Sequence, residues 1–285
     1  MLLFDDVVLF YDQESIHKSK QRDISSLKRL KPFFQNTDIL ELSRSDIRAY
    51  MKLRLSQGVC NSTINRELRY MRAAINFYKL EFKLDFINPA SSLSLEEPDS
   101  RVRFITPIEA QDLIRSASKY AKRPHLPCFI SLALNTGCRK NELFKLEWSR
   151  VDFHHNIITL GSQHTKTAKR RYVPINENTR LVLENLQYWN KVNAPHSRYV
   201  LTGLDGESHI KCMKNSFRRA CDRADIFDFR IHDLRHTFAS WLVQSGVSLY
   251  VVKDLLGHSS ITQTEKYAHL ANPQLHDAVK KLPNL

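Results

Sequence analysis

Nowhere in the 285 residues does an apolar run approach the roughly 20 residues that a membrane-spanning helix needs, and the longest candidates are broken by charge within a few positions. That excludes a helical membrane protein. No export signal is expected either. The opening MLLFDDVVLF starts apolar but places Asp5 and Asp6 where a secretory leader wants Lys or Arg and an unbroken apolar stretch, so it reads as a folded helix. Cysteine is sparse and scattered: Cys60, Cys128, Cys138, Cys212 and Cys221 form no C-x-x-C pair and leave an odd total. This argues against a disulfide framework and for a reducing, cytoplasmic setting. There is no internal repeat and no low-complexity tract.

What the sequence does have is positive charge. Lys and Arg number 43 against 30 Asp and Glu, a net charge of +13. Such an excess attracts polyanions, of which nucleic acid is the commonest, although an ordinary basic protein has the same balance. The charge is uneven. Residues 1–100 carry 15 bases and 14 acids, whereas residues 101–285 carry 28 and 16. Inside the first part, residues 44–83 hold nine bases and three acids. This local patch, with Arg66, Arg69 and Arg72 on its outer side, is either a solvated helix face or a contact to a phosphate backbone.

The length suits two domains. Helices are expected near Phe4 to Asp12 and Ile24 to Phe34, then after the N-cap Ser43 up to Gly58, and from Thr63 to Phe82 with Ile64, Leu68, Met71, Ile75 and Tyr78 on one side. Together they make an α-helical domain over residues 1–90. Asn88-Pro89 stops the last helix, and the Ser-, Glu- and Pro-rich segment 91–101 reads as a linker. The second domain, 102–285, opens with an N-cap, a first-turn proline and a capping-box Glu in Thr106-Pro107-Ile108-Glu109. Helices follow at Leu126 to Leu134 and Arg139 to Trp148. Strands at Ile157 to Leu160 and Arg171 to Ile175 form a hairpin. Helices resume at Thr179 to Val192, Lys211 to Ala224, His232 to Ser245, Leu249 to Leu256 and, as a tail, Pro273 to Lys281. The fold class is mainly α with one small β-sheet (α+β) in the C-terminal domain.

Four segments of this domain concentrate groups suited to a phosphate. In TGCRKNEL, Gly137 breaks a helix and Arg139 stands at the start of the next, where a guanidinium joins the free N–H groups and positive dipole end of that helix. Glu142, one turn on, supports it. In HTKTAKRRYVPI, Lys166, Lys169, Arg170 and Arg171 crowd a hairpin tip, from which an ammonium can reach a groove or donate a proton. The alternative is a turn of solvated bases. In HDLRHTFASWL, His232, Arg235 and His236 share a helix face, an arrangement that repels itself unless an anion sits there. The same letters resemble the H-E-x-x-H zinc motif, but Arg235 would point its charge at the metal, Asp233 is short for a general base, and no third ligand follows at a recognisable spacing. In LGHSSITQTEKYAHL, Gly257 ends a helix, His258 follows in the turn, and Tyr267 comes nine residues later among charged neighbours, as a surface tyrosine would.

In order and in context, the four segments resemble the signature of the tyrosine recombinase family, also called phage integrases. That signature has an Arg in T-G-x-R-x-x-E-L, a Lys in a β-hairpin, an H-x-L-R-H helix, an L-G-H turn and a Tyr about nine residues on. Arg139, Lys166, His232, Arg235, His258 and Tyr267 fill these positions without a gap. The helical first domain with its Asn88-Pro89 exit is similar to the family's core-binding domain. No separate arm-binding domain is expected ahead of it, a layout closer to Xer-type recombinases, while the wording of the segments is closer to phage or mobile-element integrases.

The resemblance implies a site-specific recombinase acting on double-stranded DNA through a covalent 3′-phosphotyrosyl intermediate, with no metal, ATP or other cofactor. It implies Tyr267 as nucleophile, Arg139 and Arg235 on the non-bridging oxygens, and His232 as base. Lys166 would protonate the 5′ oxygen, and His258 would donate to the phosphate. Lys169, Arg170, Arg171, Arg66, Arg69 and Arg72 are expected DNA contacts. The assembly implied is a homotetramer on DNA, a monomer when free, with the tail helix either docking on a neighbour or packing against its own domain. Type IB topoisomerase-like relaxation and a catalytically silent DNA-binding homologue are the alternatives.

Overall fold

The structure, a computed structural model, describes residues 1–16, 20–98, 101–119, 122–161, 170–271, 280 and 283. Lys166, Lys169 and the expected tail helix lie outside the described residues. The chain divides into two compact units, Met1–Asp99 and Ser100–Leu285.

The first unit is built from α1 (Phe4–Glu14), α2 (Lys20–Phe34), α3 (Arg44–Ser56) and α4 (Asn61–Glu81). Ser43 caps α3 with a full capping box: its hydroxyl accepts from Asp46 N–H, and the Asp46 carboxylate accepts from Ser43 N–H at 2.9 Å. Along α4 the apolar residues recur at helical spacing, and Ile64, Leu68, Met71 and Ile75 are all buried against Phe4, Leu30, Phe34 and Tyr50. Between α3 and α4 lies a buried ion pair, Arg54 to Glu67 at 2.9 Å, whose carboxylate also accepts from Tyr50 Oη at 2.8 Å.

The segment that composition marks as a linker is folded onto this unit as far as Glu97. Ala90 and Leu93 enter its core. Arg72 donates to the carbonyls of Ala90 and Leu93, both at 2.9 Å, and Asn65 exchanges 2.8 Å bonds with the backbone of Leu95. A segment outside helix and sheet must satisfy its backbone somewhere, and side chains of α4 do it here. Arg72 is therefore half-buried and committed to structure, a correction to its expected place as an outward DNA contact. Arg66 and Arg69 are exposed.

The second unit holds α5 (Pro107–Lys119), α6 (His125–Thr136), α7 (Lys140–Phe144), α8 (Glu177–Asn193), α9 (Lys214–Arg223), α10 (Asp233–Gln244), α11 (Leu249–Leu256) and α12 (Thr262–Glu265). The capping box of α5 is formed as expected, with Thr106 N–H on Glu109 at 2.7 Å and Glu109 N–H on Thr106 at 3.2 Å. α6 is the central helix: Leu126, Phe129, Ile130, Leu132, Ala133 and Leu134 are buried, and α5, α8 and α10 pack around it.

The sheet has three antiparallel strands in the order β1 (Val151–Asp152), β2 (Ile157–Leu160), β3 (Arg171–Pro174), with Ile157 opposite Pro174 and Leu160 opposite Arg171. The two-residue β1 is an addition to the expected hairpin. The helix expected over Arg139 to Trp148 ends at Phe144. Beyond it the backbone pairs with a distant segment, Val200 N–H to Leu146 O at 2.8 Å and Trp148 N–H to Arg198 O at 2.9 Å, which a continuing helix would forbid.

Candidate active site

Helix ends build the site. α6 and α11 both finish in a left-handed residue, Gly137 at φ +60° and Gly257 at φ +64°. Glycine is required at both by conformation and by space. A Cβ on Gly257 would stand 2.7 Å from the Arg171 side chain, and one on Gly137 would strike the Phe238 ring. The carbonyls at these ends have no partner within their helices and carry the negative end of the dipole. Guanidiniums collect on them. Arg235, 4 % exposed, donates to Gly137 O and Leu256 O, both at 2.7 Å. Arg139 donates to Gly257 O at 3.3 Å, and Arg171 also donates to Leu256 O.

Glu142 ties this set together from below. Only 2 % exposed, it accepts from Arg139 N–H at 2.8 Å, from Arg139 Nη1 at 2.9 Å and from Arg171 Nη2 at 2.8 Å. The support assigned to it thus extends to a second arginine. The buried acid Asp233 is occupied elsewhere, by Arg230 N–H at 2.9 Å and Arg101 Nη2 at 3.1 Å.

Arg171 corrects another expectation. Its place in a run of bases suggested an exposed DNA contact, yet it is buried, and its guanidinium is spent on Glu142 and Leu256. The burial of β3 alternates, with Arg171 and Val173 inward and Tyr172 and Pro174 outward. Arg170 is exposed.

Tyr267 is likewise no surface residue. It is 1 % exposed and lies in the turn between α12 and the short helical turn Ala268–Ala271, within a small core of Phe238, Ala239, Val243, Val252 and Leu256. Its Oη lies 2.6 Å from Nδ1 of His236, and Lys266 Nζ is 5.2 Å from its ring centre. Burial pushes the phenol well above its ordinary pKa, with Arg235 opposing. His258 Nδ1 pairs with Thr264 Oγ1 at 2.8 Å, joining the turn after α11 to α12. His232 is exposed at the head of α10, edge-on to His236 with ring centres 5.1 Å apart.

Five bases of the cluster shift in one direction. His258 is held down to about 3 by burial, then by Arg235 and Arg139, and His236 to about 3 by burial, Lys266 and His232. Lys266 and Arg235 are lowered too, each by burial first and then by neighbouring cations, and His232 is lowered by desolvation of its ring and then by Arg235 and Lys266, although the residue as a whole is exposed. Opposite charge reverses such shifts. A cluster of this kind favours an anion that several donors can share. Among the described residues no three His, Cys, Asp or Glu side chains converge as metal ligands. A cleft of about 830 Å³ between α5, α9 and the 203–213 loop contains none of the residues of the cluster.

The structure thus brings together Arg139, Glu142, His232, Arg235, His258 and Tyr267 and adds Arg171, His236 and Lys266. Residues 103–273 match the sequence pattern of the phage integrase family. The chain belongs to this family. Among its relatives is the integrase of Salmonella phage P22, 30 % identical over 229 residues that span 76 % of this chain and 56 % of that protein. Tyrosine recombinase XerC of Staphylococcus aureus is 26 % identical over 270 residues, 90 % of this chain and 87 % of that protein. In fold, this integrase-family chain is similar to the Tn1549 transposon integrase, solved in complex with transposon right end DNA, with a TM-score of 0.80 at 18 % identity over 97 % of this chain and 99 % of that one. Lambda integrase, solved as a dimer on a core site, gives 0.75 at 16 % identity over 92 % and 93 %. Among the described residues no helix is long and apolar enough to cross a membrane.

Proposed function

We propose that the chain is a site-specific recombinase that cuts and rejoins double-stranded DNA, with Tyr267 as nucleophile and a 3′-phosphotyrosyl ester as intermediate. The observation that carries this reading is a buried tyrosine set in a cation-rich cluster with Arg139, Arg235, His232 and His258, drawn from segments far apart in the chain. A phosphodiester already bears charge, and attack on it gathers more on the two non-bridging oxygens. Arg139 and Arg235 stabilise those oxygens by charge-assisted, directional bonds. His258 is neutral, and a ring whose Nδ1 accepts the Thr264 hydroxyl carries its proton on Nε2, where it donates to the phosphate. Lys166 protonates the leaving 5′ oxygen in this scheme.

The phosphotyrosyl ester keeps the energy of the bond it replaces. A 5′ hydroxyl of a partner duplex therefore reverses the step without ATP, and the guanidiniums supply the charge neutralisation that a metal would otherwise give. Residues 102–285 form the catalytic domain in this reading, and residues 1–90 a core-binding domain. Arg66, Arg69, Arg170 and Lys169 add backbone contacts. Exchange between two duplexes needs four tyrosines, hence a homotetramer assembled on DNA from free monomers; lambda integrase, similar in fold, has been solved as a tetramer on a Holliday junction. The substrate calls for work in the cytoplasm.

The test is a pool of nicked duplexes of random sequence incubated with the chain in EDTA. A covalent protein–DNA adduct at the 3′ phosphate is expected, and none with Tyr267→Phe. An adduct that survives Tyr267→Phe, or none from the wild-type chain, contradicts the reading.

A further inference from the structure

The hydroxyl of Tyr267 has one bonded partner among the described residues, and it is not the histidine that the family resemblance makes the base. His236, one helical turn after His232 and 6 % exposed, places Nδ1 at 2.6 Å from Oη. His232 is exposed, packs edge-on against His236 and makes no bond to Tyr267 among the described residues. Resting on the reading of Tyr267 as nucleophile, we propose that His236, rather than His232, holds the Tyr267 hydroxyl and takes its proton on attack.

With the ring proton on Nε2, Nδ1 is the acceptor and the phenol donates. In the step, the Oη–H bond breaks toward Nδ1, leaving an imidazolium. The Oη–P bond forms, the P–O5′ bond breaks, and the departing 5′ oxygen takes a proton from the acid assigned to Lys166. Rejoining returns both protons.

The surroundings of His236 tie this transfer to the presence of substrate. Its ring faces His232 and Arg235 from its own helix, Lys266 from beside Tyr267, and His258 from the turn after α11. Burial, and after it these groups, hold it neutral and weakly basic. A DNA phosphate seated among the same groups offsets their charge and makes His236 more basic, so the phenol stays protonated until there is a phosphate to attack. His232, at the open edge of the cluster, is then left to face the phosphate.

Single-turnover cleavage of a nicked duplex captured from the random pool, measured from pH 5 to 9, tests this with wild type, His236→Asn, His236→Phe and His232→Asn. Asn sets an amide oxygen close to where Nδ1 was, which keeps a partner for the hydroxyl but accepts no proton in this range. His236→Asn is expected to bind DNA as wild type does, cleave about 100-fold or more slowly, and lose the acid limb of its pH profile. His236→Phe, without any partner for the hydroxyl, is expected to be slower still. His232→Asn should keep the limb. Independently of turnover, the ¹⁵N resonance of His236 Nδ1 in the DNA-free protein should move on Tyr267→Phe. Three results overturn the proposal: an unmoved resonance, His236→Asn cleavage within about threefold of wild type with the acid limb intact, or loss of the limb in His232→Asn instead. A wild-type chain that forms no adduct overturns the nucleophile reading and the proton transfer with it; a wild-type adduct with an unaltered His236→Asn profile overturns the role of His236 alone.

Discussion

Replacing Glu142 with Gln removes one negative charge from beneath three guanidiniums while keeping the side chain's shape. Glu142 accepts two charge-assisted bonds, from Arg139 and Arg171, and one from the Arg139 backbone. Gln retains a single oxygen, and its amide N–H₂ must face a guanidinium donor. Arg235 feels the change as well, because Glu142 is among the groups that favour its charged form. Breaking a buried pair by neutralising one partner costs about 3–5 kcal/mol. With a urea m-value of about 2 kcal/mol per molar, a loss of about 4 kcal/mol lowers the unfolding midpoint by about 2 M. The assay is simple because all three tryptophans, Trp148, Trp189 and Trp241, lie in the second unit, so their fluorescence follows that unit alone. Inorganic phosphate should restore more stability to Glu142→Gln than to wild type, since an added anion replaces part of the missing charge. A midpoint shift below about 0.5 M, or equal effects of phosphate on both proteins, would refute the electrostatic argument.

Arg235→Lys keeps the charge but cannot reach Gly137 O and Leu256 O with a rigid fork; cleavage in a single-turnover assay should fall about 100-fold or more while DNA affinity changes little. Gly257→Ala forces a side chain into φ +64° and against Arg171, so urea unfolding should show a loss of about 1–3 kcal/mol. His236 and His258 are held near 3 against an ordinary 6.5, so the stability they contribute is complete above about pH 6.5 and is lost as pH falls from there toward 3. DNA phosphate raises both pKa values again, and calorimetric titration at pH 5–6 in buffers of different ionisation enthalpy should register proton uptake on binding. Equal heats in all buffers would contradict that shift.

Much of the site could be read before the fold because its residues sit in short, dense motifs. Arg139 and Glu142 are three apart at a helix start, His232 and Arg235 share one turn, and His258 follows a helix-ending glycine. What escaped notice has physical reasons. Arg171 stands in a run of bases that looks like a solvated turn, and only the two-residue alternation with Val173 signals that it points inward. Tyr267 has charged neighbours, and its burial depends on contacts with Phe238 and Val252 from other helices. His236 was visible at helical spacing from His232, but its partner could be known only once the turn at Ala268–Ala271 folded back onto α10. The early end of α7 depends on pairing with residues 198–200, a long-range contact that no local pattern announces. The supposed linker 91–101 had few apolar residues to mark it, and hydrogen bonds from Asn65 and Arg72 hold its first part, up to Leu95, instead.

Attack by one phenol, that of Tyr267, would leave a covalent mark that can be located in the chain. Adducts captured from the nicked-duplex pool can be digested with trypsin and nuclease and the nucleotide-bearing peptide fragmented in a mass spectrometer. A 3′-phosphonucleotide is expected on Tyr267 and on no other residue. A nucleotide on any other side chain, Tyr250 or Tyr172 for instance, would contradict it.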